Sequence, residues 1–179
     1  MSKIILDCET SGVSPVVKIF DKITGEVTRE HKRLLCISVL NLDTNEMRSF
    51  YGEDEKQFLI DFFKYLSKEV SLDEILGFNI NFDINFIRIR SFYHNVKISD
   101  NFTWNIVTDL RKTISDEEYA VGTLKFWGEV CGVNAVSEDG SKMLELYAKK
   151  DWQKIKEHSE EDVKISLAVY NRCKECGLI

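Results

Sequence analysis

The stretch Ile4-Ile5-Leu6-Asp7-Cys8-Glu9-Thr10 decides the fold. Ile4, Ile5 and Leu6 are strand formers with no polar residue between them, the pattern of a strand covered on both faces near the middle of a sheet. Asp7 and Glu9 stand two apart, so on a strand both side chains leave the same face. Two carboxylates crowded at the end of a buried strand repel each other and lose hydration, which a chain tolerates mainly when a cation lies between them. A hard ion, Mg²⁺ or Mn²⁺, is the expected cation.

Spacing alone does not carry this reading. The 179 residues include 30 Asp and Glu, and chance places roughly five acid-x-acid pairs in such a chain. Most chance pairs fall on solvated helices and loops, whereas this one follows an apolar strand.

With 44% hydrophobic residues among its 179, the chain can bury one full core, and a single domain over residues 1–179 is expected. A formal net charge of -6 argues against a free-standing binder of long duplex, which presents a basic face. It is compatible with a nucleic-acid enzyme whose acidic site is balanced by bound metal. The apolar run after Lys3 stops at Asp7, too short for a signal peptide, and no run has the length of a membrane span. A cytoplasmic protein without membrane contact is expected. Cys8, Cys36, Cys131, Cys173 and Cys176 read as reduced, mostly buried thiols. Cys173-Lys-Glu-Cys176 has zinc-like spacing, but no second Cys or His pair accompanies it.

Outward from the opening strand, Gly12-Val-Ser-Pro15 reads as a turn and Val16 to Lys32 as an arm or hairpin turning at Thr24-Gly25. Leu34 to Leu40 and Glu46 to Tyr51 are two further strands, and short links predict an antiparallel meander with the first. Phe58, Leu59, Phe62, Phe63 and Leu66 recur at helical spacing, predicting an amphipathic helix over Glu55 to Glu69. Glu74 to Phe78 predicts a short buried strand. A helix follows, capped near Asn81, with Phe82, Phe86, Ile89 and Tyr93 as its packing face, Arg88 and Arg90 elsewhere, and Asp83 in its first turn. Asn105 to Asp109 predicts a strand, Leu110 to Ile114 and Thr123 to Cys131 short helices, and Val133 to Gly140 a polar loop. The last helix is expected from about Asp151 to Cys173, with Ile155, Val163, Leu167 and Tyr170 facing the core. His158 and Asp162, four apart, share a face of it. The order of elements defines an α/β fold: a mixed sheet flanked by helices, with the first strand central.

Three stretches carry a resemblance. Leu6-Asp7-Cys8-Glu9-Thr10 is the first. Leu76-Gly77-Phe78-Asn79-Ile80-Asn81-Phe82-Asp83 is the second. Asp139-Gly140-Ser141 with Leu144-Glu145-Leu146-Tyr147, then His158 through Asp162-Val163 and Leu167-Ala168-Val169-Tyr170, make up the third. In this order and separation they resemble the motifs of the DEDD superfamily of 3′-to-5′ exonucleases, which share a ribonuclease H-like fold. Within that group the chain is most similar to the exonuclease domain of family B DNA polymerases and its stand-alone relatives. Such proteins carry either a Tyr with three residues before the last Asp or a His with four. This chain has a His with three.

The resemblance implies a nuclease in which two divalent ions, typically about 3.5 to 4 Å apart, clamp one phosphate. Asp7 would bridge both ions, Glu9 and Asp162 would lie on the nucleophile side, and Asp83 would hold the other metal. His158 would orient or deprotonate the attacking water. Thr10 and the backbone beside Glu9 would meet the terminal nucleotide and Asn79 would support the site, while Phe78 or Phe82 would stack on a terminal base, core packing being the commoner fate of both. The implied substrate is the 3′ end of single-stranded nucleic acid, DNA slightly ahead of RNA, cleaved to nucleoside monophosphates. Two alternatives stay open: an exonuclease of RNA or short oligoribonucleotides, and a catalytically weak binding module, against which the presence of all four carboxylates argues. The arm, with Lys18, Lys22, Arg29, Lys32 and Arg33, is expected to guide the strand.

Overall fold

A computed structural model describes residues 2–12, 14–20, 27–68, 72–99, 107–115, 121–134 and 142–179. The opening stretch is β1 (Ser2–Thr10), and it lies in the middle of a five-stranded sheet of order β5-β4-β1-β6-β7. On one side it pairs antiparallel with β4 (Leu34–Asn41), which pairs antiparallel with β5 (Glu46–Tyr51). On the other it pairs parallel with β6 (Leu72–Gly77), and β6 pairs parallel with β7 (Val107–Asp109). The three-strand meander is therefore as expected, and β1 is where the sheet changes from antiparallel to parallel.

Both faces of β1 are covered, as its unbroken apolar run requires. Ile4 and Leu6 pack with α1 (Glu55–Lys68) and α2 (Ile80–His94), through Phe58, Leu59, Phe62, Phe63, Ile84 and Ile87. Ile5 faces the other way, against α3 (Leu110–Ile114) and α6 (Trp152–Glu175), through Leu110, Val163 and Val169. α4 (Leu124–Val130) joins that layer through Trp127, and α5 (Met143–Ala148) closes a third cluster in which Met143 and Ile155 meet Leu35 and Cys36. Sequence periodicity gave no sign of α5, which is too short to establish a period.

Gly77 shows how tightly the strand ends are set. A Cβ there would lie 2.7 Å from the backbone oxygen of Leu6 and 2.7 Å from Ile80 Cδ1, so a side chain at this position would push β6 off β1.

The helix after β6 departs from expectation in two ways. Asn79, not Asn81, holds the cap position, in a left-handed conformation (φ 59°) and with no side-chain cap bond. The buried face is formed by Asp83, Ile84, Phe86, Ile87, Arg90 and Ser91, while Tyr93 is 54% exposed. Arg90 is buried because Glu55 is. That carboxylate accepts from Arg90 Nε at 2.8 Å, Arg90 Nη2 at 2.6 Å and the Leu34 backbone N–H at 2.8 Å, and His94 Nε2 lies 3.0 Å away. One buried ion pair thus ties the start of α1 to β4 and α2, a tie invisible to apolar periodicity.

The arm is a separate two-stranded ribbon, β2 (Val16–Phe20) antiparallel to β3 (Val27–His31). Its predicted Thr24-Gly25 turn, the Lys22 position and the side chains of Lys18 and Arg29 lie outside the described residues. Arg33 is committed to the protein itself, donating to the backbone oxygens of Glu53 at 2.5 Å and Gly52 at 3.5 Å. Residues 116–118 and Asp139-Gly140-Ser141 likewise fall outside the described set. Cys8, Cys36 and Cys173 are buried thiols as expected, and Cys176 is exposed. No helix among the described residues is long and apolar enough to cross a membrane.

Candidate active site

The carboxyl ends of β1, β6 and β7 lie side by side, since Ile5 pairs with Leu76 and Gly77 with Asp109. In open α/β sheets the edge beyond the strand ends, at a change of strand direction, is where ligand sites form. Asp7 and Glu9 project there from β1 on the side of α6. The side chain of buried Ser159, from α6, donates to Asp7 Oδ2 at 3.0 Å. His158, its neighbour, has Nδ1 at 2.8 Å from Glu9 Oε1 and at 3.8 Å from Asp162 Oδ2. The helical spacing that put His158 and Asp162 on one face therefore delivers both to the end of β1.

Asp83 enters from the opposite layer. It lies in the first turn of α2, buried, and its Oδ1 accepts the backbone N–H of Cys8 at 3.0 Å. That bond fixes the carboxylate against the strand segment between Asp7 and Glu9. The convergence is graded: Glu9, His158 and Asp162 each offer a ligand atom within 4.8 Å of the others. Asp7 and Asp83 stand outside this tightest group but within its electrostatic reach.

The electrostatics are those of buried, crowded acids. Burial raises the Asp7 carboxyl well above the usual carboxylate range, and Asp162, Glu9 and Asp83 raise it further, against the Ser159 hydrogen bond. Burial does the same to Asp83, against the Cys8 amide. Asp162 is pushed up to about 7, by burial first and by Glu9, with His158 opposing. Among the described residues no Lys or Arg pairs with Asp7, Glu9, Asp83 or Asp162. Crowded, buried acids with no Lys or Arg paired to them among the described residues fit divalent cations, which would be held by Asp7, Glu9, Asp83 and Asp162.

The expected substrate-side residues rim this cluster in different ways. Thr10 lies at the irregularity that ends the β1–β4 pairing, its Oγ1 donating to the Gly12 backbone oxygen at 2.9 Å. Asn79 is exposed at the head of α2. Phe82 is partly buried and packed on the core, its ring 5.7 Å from that of Phe86.

Two residues escaped the sequence reading. Asp109, buried at the end of β7, accepts the Asn79 backbone N–H at 2.9 Å and the Arg111 N–H at 3.1 Å, and Asn81 Nδ2 donates to it at 3.4 Å. It braces the turn that launches Asp83. Its signal was an Asp between a strand and a helix, the signature of an N-cap. Ser159 gave no signal beyond its place beside His158.

The fold belongs to a known class. Over 97% of its length the chain superposes on the family B DNA polymerase from the hyperthermophilic archaeon Pyrobaculum calidifontis, with a TM-score of 0.69 at 18% identity. Over 97% it also superposes on ExoI of E. coli, in a zinc-bound complex with ssDNA, with a TM-score of 0.57 at 15% identity. It spans 24% of the polymerase chain and 40% of the ExoI chain. The architecture is thus the ribonuclease H-like fold shared with these two proteins. In sequence, the chain is 31% identical over 191 residues to the uncharacterized protein MJ0365 of Methanocaldococcus jannaschii, covering 100% of this chain and 99% of that protein, and it belongs to the same family. No family model matches the chain.

Proposed function

We propose that residues 1–179 form a metal-dependent 3′-to-5′ exonuclease domain of the cytoplasm. It hydrolyses phosphodiester bonds at the 3′ end of single-stranded nucleic acid, DNA ahead of RNA, and releases nucleoside monophosphates. The observation that carries this reading is the meeting of Asp7, Glu9, Asp83 and Asp162 at the end of the central strand, where burial and their mutual repulsion raise the carboxyls of Asp7, Asp83 and Asp162. The ssDNA held by the ExoI neighbour supports the choice of substrate.

Bound Mg²⁺ or Mn²⁺ would polarise the scissile phosphate and supply hydroxide at neutral pH. The chain's own contribution is positional. Asp7 is held through one carboxylate oxygen by Ser159 and would ligate both ions. Glu9, His158 and Asp162, which lie together, would stand on the side of the attacking water, and Asp83, held by the Cys8 amide, would stand on the leaving-group side. Thr10, Asn79 and Phe82 would meet the terminal nucleotide.

The test is digestion of matched 3′-labelled and 5′-labelled single-stranded DNA and RNA, with Mg²⁺, Mn²⁺ or EDTA, beside Asp7→Ala. Metal-dependent release of mononucleotides from the 3′ end, absent in the variant, is the expected result, and the faster substrate names the sugar. A folded protein that cleaves nothing with either metal would leave a binding module in its place.

A further inference from the structure

His158 sits where a metal ligand would. Its Nδ1 is 2.8 Å from Glu9 Oε1 and 3.8 Å from Asp162 Oδ2, and the side chains of His158 and Glu9 are only 13% and 12% exposed. Two donors about 2.1 Å from one octahedral ion lie about 3.0 Å apart when adjacent and about 4.2 Å when opposite. The two separations from Nδ1 lie near that range, and Glu9, His158 and Asp162 each offer an atom within 4.8 Å of the others, so side-chain adjustment can bring all three to one ion. The spacing of the third motif produces this arrangement. With three residues between His158 and Asp162, both project from the same face of α6, and the imidazole is delivered to the carboxylates.

We propose that His158 Nδ1 coordinates the cation on the Glu9 side, so that Glu9, His158 and Asp162 form a mixed nitrogen and oxygen site taking Mn²⁺ in preference to Mg²⁺. This rests on the reading of the cluster as a metal centre, and it makes His158 a ligand where the sequence suggested a proton acceptor. The selectivity follows from donor chemistry. Mg²⁺ demands oxygen donors and gives up its water reluctantly, whereas imidazole suits first-row transition ions. Asp83, whose Oδ1 accepts the Cys8 amide, lies outside the triad and would belong to an all-oxygen site.

The test needs no substrate. Mn²⁺ is titrated into the metal-free full chain and followed by pulsed EPR, with and without ¹⁵N-labelled histidine, and Mg²⁺ is then used as competitor. Nitrogen coupling that changes with the isotope and disappears in His158→Gln is expected. The preference for Mn²⁺ over Mg²⁺ should drop by roughly tenfold or more in that variant, the scale on which even outer ligand partners act. Mn²⁺ bound without nitrogen coupling in the wild-type protein would overturn the ligand role and leave the nuclease reading standing. No binding of Mn²⁺ to the wild-type protein at millimolar concentration would overturn both. His158→Tyr gives a second check: metal should still bind, without nitrogen coupling and without the preference for Mn²⁺, and a retained preference would overturn the selectivity argument.

Discussion

The backbone N–H of Cys8 donates to Asp83 Oδ1 at 3.0 Å, joining two residues 75 positions apart in the chain. This bond carries the second motif to the first. Asp83→Asn keeps an oxygen acceptor for the amide and removes the charge, so cleavage should fall by at least roughly 10²-fold with the fold retained. Asp83→Ala also leaves the amide unpaired and should be less stable than Asp83→Asn by about 1–3 kcal/mol. Nuclease assays and denaturant melts of the two variants check this, and equal stability would argue against the bond.

The raised carboxyls make metal-free stability depend on pH. Asp7 and Asp83 lie well above the usual range and Asp162 at about 7. A carboxyl whose pKa is higher in the fold than in the open chain stabilises the fold fully below its open-chain value, about 4. It loses that contribution as pH rises through the folded value. With EDTA present, the Tm should therefore fall as pH rises from about 5 to 8. Saturating Mn²⁺ or Mg²⁺ should flatten that slope, because a cation favours the ionised forms. Melting curves in the two conditions decide it, and a metal-free Tm that climbs over this window would count against the crowded site.

Asp109 is expected to act on catalysis without touching substrate. Asp109→Ala removes the acceptor for two backbone N–H groups and for Asn81. It should cost about 1–3 kcal/mol in stability and lower turnover by loosening the turn before Asp83. Asp109→Asn, which retains an oxygen acceptor, should recover part of both. An Asp109→Ala enzyme with full turnover would remove it from the positioning role.

The Glu55–Arg90 pair tests the frame instead of the chemistry. Glu55→Ala strands a buried guanidinium and should cost about 3–5 kcal/mol, or about 10 °C in Tm for a chain of this size. Replacing both partners by apolar residues, Glu55→Leu with Arg90→Met, should be less damaging than Glu55→Ala alone. Calorimetry of the single and double variants measures the difference.

The sequence by itself determined the main elements and most of the acids. An apolar run ending in Asp-x-Glu is buried on both faces wherever it folds, and the stripe of Phe58, Phe62 and Leu66 must turn to a core, so β1 and α1 were legible from local pattern. The i, i+4 spacing of His158 and Asp162 fixed their shared face for the same reason. Only the tertiary structure decided what those groups meet. The burial of Arg90 depends on Glu55 from another helix, the task of Asp109 on the registers of β6 and β7, and the hold of Ser159 on Asp7 on how α6 crosses the sheet. The contact of His158 with Glu9 is of the same kind. Local periodicity reports which side of an element is apolar, but a polar group's partner is chosen by strand register and helix packing across long sequence separations, and those are set by the whole core at once.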